Sequence, residues 1–242
     1  MATLTEPQLT IVRSIINHTQ GLVLLKDMDS VYTMANTSVA KMAGFDSPDQ
    51  LVGITDYDIR NNMVSCAALF VVQDKKVIAS GEPMISLDIV PVEGGELRAL
   101  MHNKSILKDE AGSKLGVLMH AFEVPKDLLI KTCVFLSDHS THVRSGKHPQ
   151  PANYLLSDHY EGSSLTKRQA ECLFYLLRGM SCKSIAKTLG LSHRTIEGYV
   201  EIIKFKMGCH SKQELIERSI ERGYVEIIPS SIFNSILLST LK

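Results

Sequence analysis

The stretch from residue 165 to residue 222 constrains the fold more than any other part of this chain. It opens with Thr166 as a candidate helix cap, and apolar side chains then recur at the spacing of one helical face. Gly179 and Gly190 each follow a helical segment, and Ser192 is placed to cap the next one. The pattern therefore predicts three short helices separated by tight turns.

The third predicted helix has two distinct faces. Its buried stripe is formed by four apolar residues spaced i, i+4, i+7 and i+11, namely Ile196, Val200, Ile203 and Met207. Its outward face is formed by Arg194, Glu197, Gly198, Glu201 and Phe205. Two short helices joined by a glycine-bearing turn form a helix-turn-helix, whose second helix enters the major groove of DNA.

Further residues at fixed spacing extend this pattern into a family resemblance. They are Thr166, Arg168, Glu171-Cys172-Leu173, Gly179, Ser184-Ile185-Ala186, Leu189, Ser192, Thr195-Ile196 and Lys206-Met207-Gly208. With them the stretch, about a quarter of the chain, resembles the LuxR-type DNA-binding domain. The resemblance implies an all-α module of four helices, the fourth at about residues 212–222 and commonly used for dimerisation.

The resemblance also assigns roles to individual residues. The residues expected to contact DNA phosphates are Lys183, Thr195, Lys204, Lys206 and Lys212. The residues expected to face base edges are Arg194, Glu197, Gly198 and Glu201. Two of the base-facing residues are acidic, which departs from the family pattern, as does Tyr199 where histidine is common. A glutamate accepts a hydrogen bond from cytosine N4 but repels phosphate, so the usual sequence preference of the family does not carry over.

Charge is distributed unevenly along a chain whose formal net charge is zero. Residues 165–224 hold eleven Lys and Arg against six Asp and Glu, whereas residues 1–164 hold fourteen against nineteen. Such asymmetry fits a basic nucleic-acid module joined to a neutral or acidic regulatory one. Five cysteines without a CxxC pair are typical of reduced thiols, and no run has the length of a membrane span, so we expect a cytoplasmic protein.

The first half of the chain predicts an α+β unit. Residues 1–20 form an amphipathic helix, and residues 21–124 follow as two strands, small helices, one longer helix and three antiparallel strands. The longer helix is expected over residues 63–79, with Leu69, Phe70 and Val72 as core candidates. Connecting turns fall at Glu93-Gly94-Gly95 and at residues 108–112.

Residues 21–124 resemble a PAS domain. The matching residues include Lys26-Asp27, Asn36, Ala43-Gly44-Phe45, Leu51-Val52-Gly53, Thr55-Asp56, Asp74, Val77-Ile78 and Gly81-Glu82-Pro83. The resemblance implies a sensor of small molecules or a dimerisation unit with an antiparallel sheet and flanking helices. No cofactor is predicted, because the cysteine, histidine and tryptophan signatures of the flavin and haem subclasses are absent. An apolar ligand in the pocket and a well-packed core serving as a dimer scaffold both stay open.

Histidines are the main candidates for metal binding, and we expect no metal site. His102, His120 and Cys66 interrupt the apolar pattern of the first half, where strand histidines are more often hydrogen-bonded structural residues than ligands. Residues 125–160 are expected to be a connector, in which His139, His142, His148 and His159 lie in a turn-rich context that no recognised ligand spacing completes. Residues 161–224 form the helix-turn-helix domain, and residues 225–242 an apolar tail.

Two hypotheses follow from the sequence. The first is a DNA-binding transcriptional regulator whose PAS-like domain senses a signal or mediates dimerisation. Its partners are double-stranded DNA and a second copy of the chain, with RNA polymerase as a further candidate and no membrane. The alternative is a protein-interaction adaptor with a degenerate helix-turn-helix, favoured by the paired glutamates. No nucleophile and base occur at a catalytic spacing, so we expect no enzymatic activity.

Overall fold

The computed structural model describes residues 6–125 and 152–240, which divide into two units. Of these residues, 6–124 and 152–153 belong to the first unit, and 125 and 154–240 belong to the second. Within the described ranges, no helix combines the length and the apolar character that crossing a membrane requires.

The first unit is an antiparallel sheet with flanking helices, as the sequence predicts. Its elements are α1 (Glu6–His18), β1 (Leu22–Lys26), β2 (Tyr32–Ala35), α2 (Thr37–Ala43), α3 (Ala67–Ser80), β3 (Met84–Pro91), β4 (Leu97–Lys108) and β5 (Lys114–Val124). Short 3₁₀ helices lie at Pro48–Leu51, Asp56–Asp58, Asn62–Cys66 and Glu93–Gly95. The strands are ordered β2-β1-β5-β4-β3, and each neighbouring pair is antiparallel.

One face of this sheet packs on the small helices and forms the core of the unit. Leu22 and Leu24 of β1 lie opposite Ala121 and Met119 of β5 in the register, and all four are buried. Leu100 of β4 belongs to the same apolar cluster. Because side chains alternate along a strand, the residues two and four positions after Leu100 lie on its side of the sheet. Those two residues are His102 and Lys104, so the core has ionisable side chains at one edge.

The longer helix differs from its prediction at both its start and its buried face. Residues 62–66 form a 3₁₀ helix, and α3 begins only at Ala67. Phe70 is buried as expected, but the expectation for Val72 was wrong, since its side chain is 48% exposed. Gln73 and Asp74 are buried instead. Hydropathy favours Val72, but the polar side chains find charged and hydrogen-bonding partners on the sheet.

The second unit is mainly helical. Its helices are α4 (Lys167–Leu177), α5 (Cys182–Leu189), α6 (His193–Met207), α7 (Lys212–Glu221) and α8 (Ser230–Thr240). The predicted four-helix module therefore corresponds to α4–α7. The apolar tail contains α8 and a short strand, β7 (Ile227–Ile228), which pairs in parallel with Leu155 and Leu156 of β6 (Ala152–Leu156). This strand pair was not predicted, because its two partners are far apart in the sequence.

Local capping explains where the four helices begin and end. The Thr166 hydroxyl accepts the Gln169 backbone N–H, and the Gln169 side-chain oxygen accepts the Thr166 N–H at 3.0 Å, which closes a capping box on α4. The Ser192 hydroxyl accepts the Thr195 N–H at 3.1 Å at the start of α6. Both predicted caps are confirmed. Gly190 and Gly208 end α5 and α6 in the left-handed region, each with φ of 65°.

Candidate nucleic-acid interface and sensor cavity

Helix α6 separates a buried stripe from an outward face. Its four predicted core residues are 0% to 6% exposed, and they pack it into the module: Ile196, Val200, Ile203 and Met207. The four predicted base-facing residues are all exposed and lie on the opposite side: Arg194, Glu197, Gly198 and Glu201.

The two glutamates of this face each have a lysine or histidine neighbour on α6. The Lys204 ammonium lies 2.8 Å from a Glu201 carboxylate oxygen, three residues along the helix. The His193 imidazole lies 3.7 Å from the Glu197 carboxylate, four residues along the helix. Because both carboxylates are exposed to solvent, each pair contributes little to stability. The Lys204 ammonium offsets part of the negative charge that Glu201 would present to DNA.

Gly198 lies between these charged residues in an interior turn of α6. The space beside it is open, since no heavy atom would lie within 4 Å of a Cβ added there. Glycine is therefore not required by packing, although it destabilises a helix interior by about 1 kcal/mol relative to alanine. A flat patch on the outward face lets another surface approach the backbone of α6.

The residues expected to contact phosphate differ in how free their side chains are. Lys183 and Lys212 are exposed near the starts of α5 and α7. Lys204 is half-buried beside its glutamate, and the Thr195 hydroxyl lies 2.8 Å from the Ser192 hydroxyl. All of these side chains therefore lie in one unit. Lys204 and Thr195 already contact neighbouring side chains, whereas Lys183 and Lys212 are exposed.

Lys206 makes the strongest internal contacts of the group. Its ammonium donates to the Ser164 carbonyl at 2.5 Å and to the Gln169 side-chain oxygen at 2.9 Å. These bonds tie the end of α6 to the start of α4. An ammonium has three N–H donors, so one donor remains for a phosphate.

The first unit encloses a cavity of about 40 Å³ between its sheet and α2 and α3. Three methionines, Met42, Met63 and Met119, are part of a mainly apolar lining. Methionine side chains are flexible and repack readily, so this lining is adaptable. The lining becomes polar at one end, where it includes Lys26, Tyr32, Asp56, His102 and Lys104.

A buried network of ion pairs forms this polar end. The Lys26 ammonium lies 2.5 Å from Asp56 and 2.9 Å from Asp74, and the Lys104 ammonium lies 2.5 Å from the second Asp74 oxygen. The Tyr32 hydroxyl donates to the other Asp56 oxygen at 2.7 Å. All of these side chains are almost fully buried, so the network replaces the water that each charge loses on folding.

Burial and charge act in opposite directions on the pKa values of this network. Burial raises the pKa of Asp74, but the Lys104 and Lys26 ammonium groups outweigh it and the net pKa is lowered. Burial also lowers the pKa of Lys104, and the Asp74 carboxylate offsets this only in part because Lys26 repels the second ammonium. Asp74 is therefore the carboxylate that both lysines share, while Lys26 also pairs with Asp56.

His102 lies beside this network and is the least satisfied polar side chain there. Its Nδ1 is 3.2 Å from an Asp88 oxygen, yet no described residue is in hydrogen-bonding geometry with either ring nitrogen. Burial lowers the pKa of His102 to about 4, although the Asp88 carboxylate acts in the other direction. The expectation of a hydrogen-bonded structural histidine was therefore wrong for His102. For His120 the contact is present, since its Nε2 lies 3.0 Å from the Gln20 carbonyl.

One sequence signal could have identified this polar end. Leu100, His102 and Lys104 are spaced two residues apart in a strand with a buried face. Titratable residues in register with a core leucine point into the core and need partners there. Sequence reasoning treated His102 as an isolated oddity and did not connect it with Lys104.

Within the described ranges, no three His, Cys, Asp or Glu side chains are placed to hold a metal ion. Burial raises the pKa of the Cys66 thiol, which keeps it protonated and disfavours a role as a thiolate ligand. Of the connector histidines, His139, His142 and His148 lie outside the described residues. His159 lies within them, and its backbone N–H bonds the Ser157 hydroxyl at 3.0 Å.

Comparisons with protein families match both units. Residues 163–219 match the family described as bacterial regulatory proteins, luxR family. Residues 16–125 match a PAS fold. The first match contains α4, α5, all of α6 with both its faces, and α7 up to residue 219, and the second contains the cavity and its ion pairs. These are the two resemblances that the sequence motifs indicated.

Individual proteins match the chain to different extents. The transcriptional activator protein ExaE of Pseudomonas putida is 33% identical over 63 residues, which span 26% of this chain and 29% of that protein. A structure of the Vibrio cholerae VqmA dimer in the absence of target DNA is 28% identical with a TM-score of 0.49, over 95% of this chain and 93% of that one. A structure of VqmA bound to DPO is 26% identical with a TM-score of 0.46, over 93% and 92%. By these two matches, the chain combines a segment similar to the luxR family of bacterial regulatory proteins, residues 163–219, with an earlier segment similar to the PAS fold, residues 16–125.

Proposed function

We propose that this protein is a sequence-specific DNA-binding transcriptional regulator, with α6 as the helix that enters the major groove. The observation that carries the proposal is the outward face of α6, which lies opposite its buried stripe within a matched LuxR-family domain. Arg194, Glu197, Gly198 and Glu201 face the base edges. Since a glutamate accepts a hydrogen bond from cytosine N4, we expect C·G pairs in the recognised sequence.

Four lysines and one threonine on and around α6 hold the protein on the DNA backbone. Lys183, Thr195, Lys204, Lys206 and Lys212 are the proposed phosphate contacts. Each phosphate contact releases counterions, so affinity falls as the salt concentration rises. The logarithm of the association constant falls by about 0.9 per contact for each tenfold increase in salt. Lys183 and Lys212 are the clearest of these because both side chains are exposed.

The regulator is proposed to act as a homodimer in the bacterial cytoplasm. Two helix-turn-helix modules in a dimer bind half-sites about one helical turn apart, which gives a symmetric operator. RNA polymerase is a further candidate partner. The adaptor alternative depends on the acidic face of α6, and it is weakened because the Lys204 ammonium pairs with one of the two glutamates on the same helix. The family and the fold favour a regulator over an enzyme.

Selection from random duplex DNA tests this function. The full-length protein is incubated with a random library across a salt series, and bound sequences are identified. We expect enrichment of a symmetric motif and a steep loss of affinity with salt. Residues 152–242 are then tested alone. DNA binding by this fragment but not by the full-length protein would mean that the first unit inhibits the helix-turn-helix module. No enrichment by either protein contradicts the proposal.

Two substitutions separate the proposed roles. Lys183→Ala is expected to weaken binding to every sequence and to reduce the salt slope by about 0.9 per protomer. Glu201→Ala is expected to change which base is preferred while leaving the salt slope nearly the same. Equal effects of the two changes on selected and random duplexes would show that the assignment of roles is wrong.

We further propose that the PAS-fold unit binds a small, mainly apolar molecule in its cavity. The supporting observation is His102, which is 4% exposed and lines the cavity with both ring nitrogens free of hydrogen-bonding geometry to described residues. A ligand with one polar group at this end would satisfy the imidazole, while its apolar part displaces the methionines.

Mass spectrometry of small molecules released from the purified full-length protein tests the ligand proposal. We expect one compound to be released by wild type and to be depleted in His102→Leu, with Lys75→Met, an exposed change on α3, as the control. Release of the same compound by both variants would show that His102 does not hold it.

A further inference from the structure

Phe205 has an exposure that its role in the fold does not explain. Its side chain is 87% exposed, the largest value among the large apolar side chains of the described residues, and Ile15 follows at 61%. It lies in the last turns of α6, in a helix whose other side packs fully into the module. A phenyl ring left in water loses the free energy that its burial would provide. Packing among the described residues of this unit therefore does not account for the exposure of Phe205.

The helical register places Phe205 on the proposed reading face of α6. With 3.6 residues per turn, Phe205 projects within about 20° of the direction of Arg194 and within about 40° of that of Glu201. The same geometry puts it nearly opposite Ile203, which is 0% exposed. Ile202 is 42% exposed and lies about 60° away from Phe205 around the helix. Phe205 thus continues the row of base-facing residues toward the end of α6.

The charges on this face indicate which part of DNA it meets. Carboxylates avoid phosphates and accept from cytosine N4, so a face with Glu197 and Glu201 is suited to base edges. Among the groups on the major-groove edge, the thymine C5 methyl is the apolar one, and Phe is one of the side chains that contact it. The basic side chains of Lys204 and Lys206, on either side in the sequence, favour a nucleic acid over an apolar protein surface.

We infer that Phe205 is a specificity-determining residue whose ring packs on the C5 methyl of a thymine in the recognised sequence. The inference rests on the proposed DNA-binding function and extends its reading face by one residue. Phe205 lies four residues, or about 6 Å, beyond Glu201 along the helix. Successive bases on one strand are about 3.4 Å apart. The thymine is therefore about two base pairs from the cytosine that Glu201 reads.

Replacing thymine by uracil removes only the methyl group and tests the inference directly. The duplex selected by the full-length protein is synthesised with uracil at each thymine position in turn, in both half-sites. We expect wild type to lose about fourfold in affinity per protomer at one symmetric position, since one buried methyl-sized group is removed. Phe205→Ala is expected to bind the thymine and uracil duplexes equally, with a loss close to that fourfold factor on the thymine duplex.

Ile202→Ala is the matched control, because it removes an exposed apolar side chain from the same helix at about 60° from the direction of Phe205. It should keep the thymine preference of wild type. If Phe205→Ala also keeps that preference, or if no thymine position responds in wild type, the inference is overturned while the proposed function stands. Conversion of the dimer to a monomer by Phe205→Ala, measured by sedimentation with the thymine preference intact, would assign the ring to a second copy of the chain instead. Absence of any selected sequence for wild type would overturn the proposed function itself.

Discussion

At the scale of single residues, the ion pairs around the cavity are unequal in what they support. Asp74 pairs with two ammonium groups, those of Lys26 and Lys104. Lys104 pairs with one carboxylate, Asp74, and in addition donates to the Phe70 carbonyl at 3.1 Å. A buried charge that loses its partner destabilises the fold by more than the pair contributed. The consequence of a substitution therefore depends on which charge remains.

Asp74→Ala is expected to destabilise the first unit by about 3–5 kcal/mol, because it leaves Lys104 without a carboxylate and reduces the partners of Lys26. Lys104→Met is expected to cost less, since Asp74 keeps its Lys26 contact at 2.9 Å. Urea unfolding of the two variants measures the difference. Lys75→Met, which changes an exposed residue of α3, is the control. A larger loss for Lys104→Met than for Asp74→Ala would contradict this account.

His102 makes the stability of the first unit depend on pH. Burial lowers its pKa from 6.5 to about 4 in the folded state, with Asp88 opposing and Lys104 and Lys26 adding to the shift. Between these values the unfolded chain binds the proton more readily, so the free energy of unfolding falls as pH falls from about 6.5 to 4. The full shift corresponds to about 3 kcal/mol.

His102→Leu is expected to remove this component of the pH profile. Urea unfolding at several pH values between 4 and 7 measures it, with the variant losing less stability on acidification than wild type. Parallel pH profiles of the two proteins would show that His102 is protonated in the folded state as easily as in the unfolded chain.

At the scale of elements, α6 combines requirements that conflict. Its Ser192 cap, its buried stripe and its Gly208 end all stabilise the helix, while Gly198 weakens it. A helix selected only for stability would carry alanine at that open position. Gly198 and the exposed Phe205 are both less favourable for stability than the alternatives would be. Both lie on the outward face, where the proposed function places the DNA.

Gly198→Ala separates stability from DNA binding by giving them opposite signs. The second unit is expected to gain up to about 1 kcal/mol in the free energy of unfolding, because the added methyl meets open space. Affinity for the selected duplex is expected to fall, because the methyl occupies the approach to the backbone. Thermal unfolding and a binding titration measure the two effects. Unchanged or improved affinity would show that the glycine is merely tolerated.

At the scale of the whole molecule, the uneven charge of the chain affects its encounter with DNA. Residues 1–164 carry more acidic than basic residues, and residues 165–224 carry the reverse. The acidic part repels the DNA phosphates at low salt, where the screening length is long.

The fragment of residues 152–242 is accordingly expected to bind random duplex DNA severalfold more tightly than the full-length protein at about 10 mM salt. The difference should shrink toward 0.2 M salt, where the screening length falls below about 10 Å. Fluorescence anisotropy across the salt series measures both. A difference that persists unchanged at high salt would indicate a steric or conformational block in place of charge repulsion.

Sequence by itself determined the elements whose signals are local. Thr166 and Ser192 were identified as caps because a cap bonds a backbone N–H three residues away. The buried stripe of α6 was identified because residues four apart share a helical face. The same helical repeat predicted the outward residues of α6, which include the proposed base-facing residues.

Tertiary structure alone decided the contacts between residues distant in sequence. Lys26 pairs with Asp56 and Asp74 across 30 and 48 positions, and no local pattern marks them as partners. The same cause made Val72 a wrong core prediction, since hydropathy cannot show that a buried Asp74 will meet two lysines. Parallel pairing of β6 with β7 likewise depends on contacts across some seventy residues. Local interactions are encoded within a few residues, whereas the burial of a charge is decided by the partner that the fold brings to it.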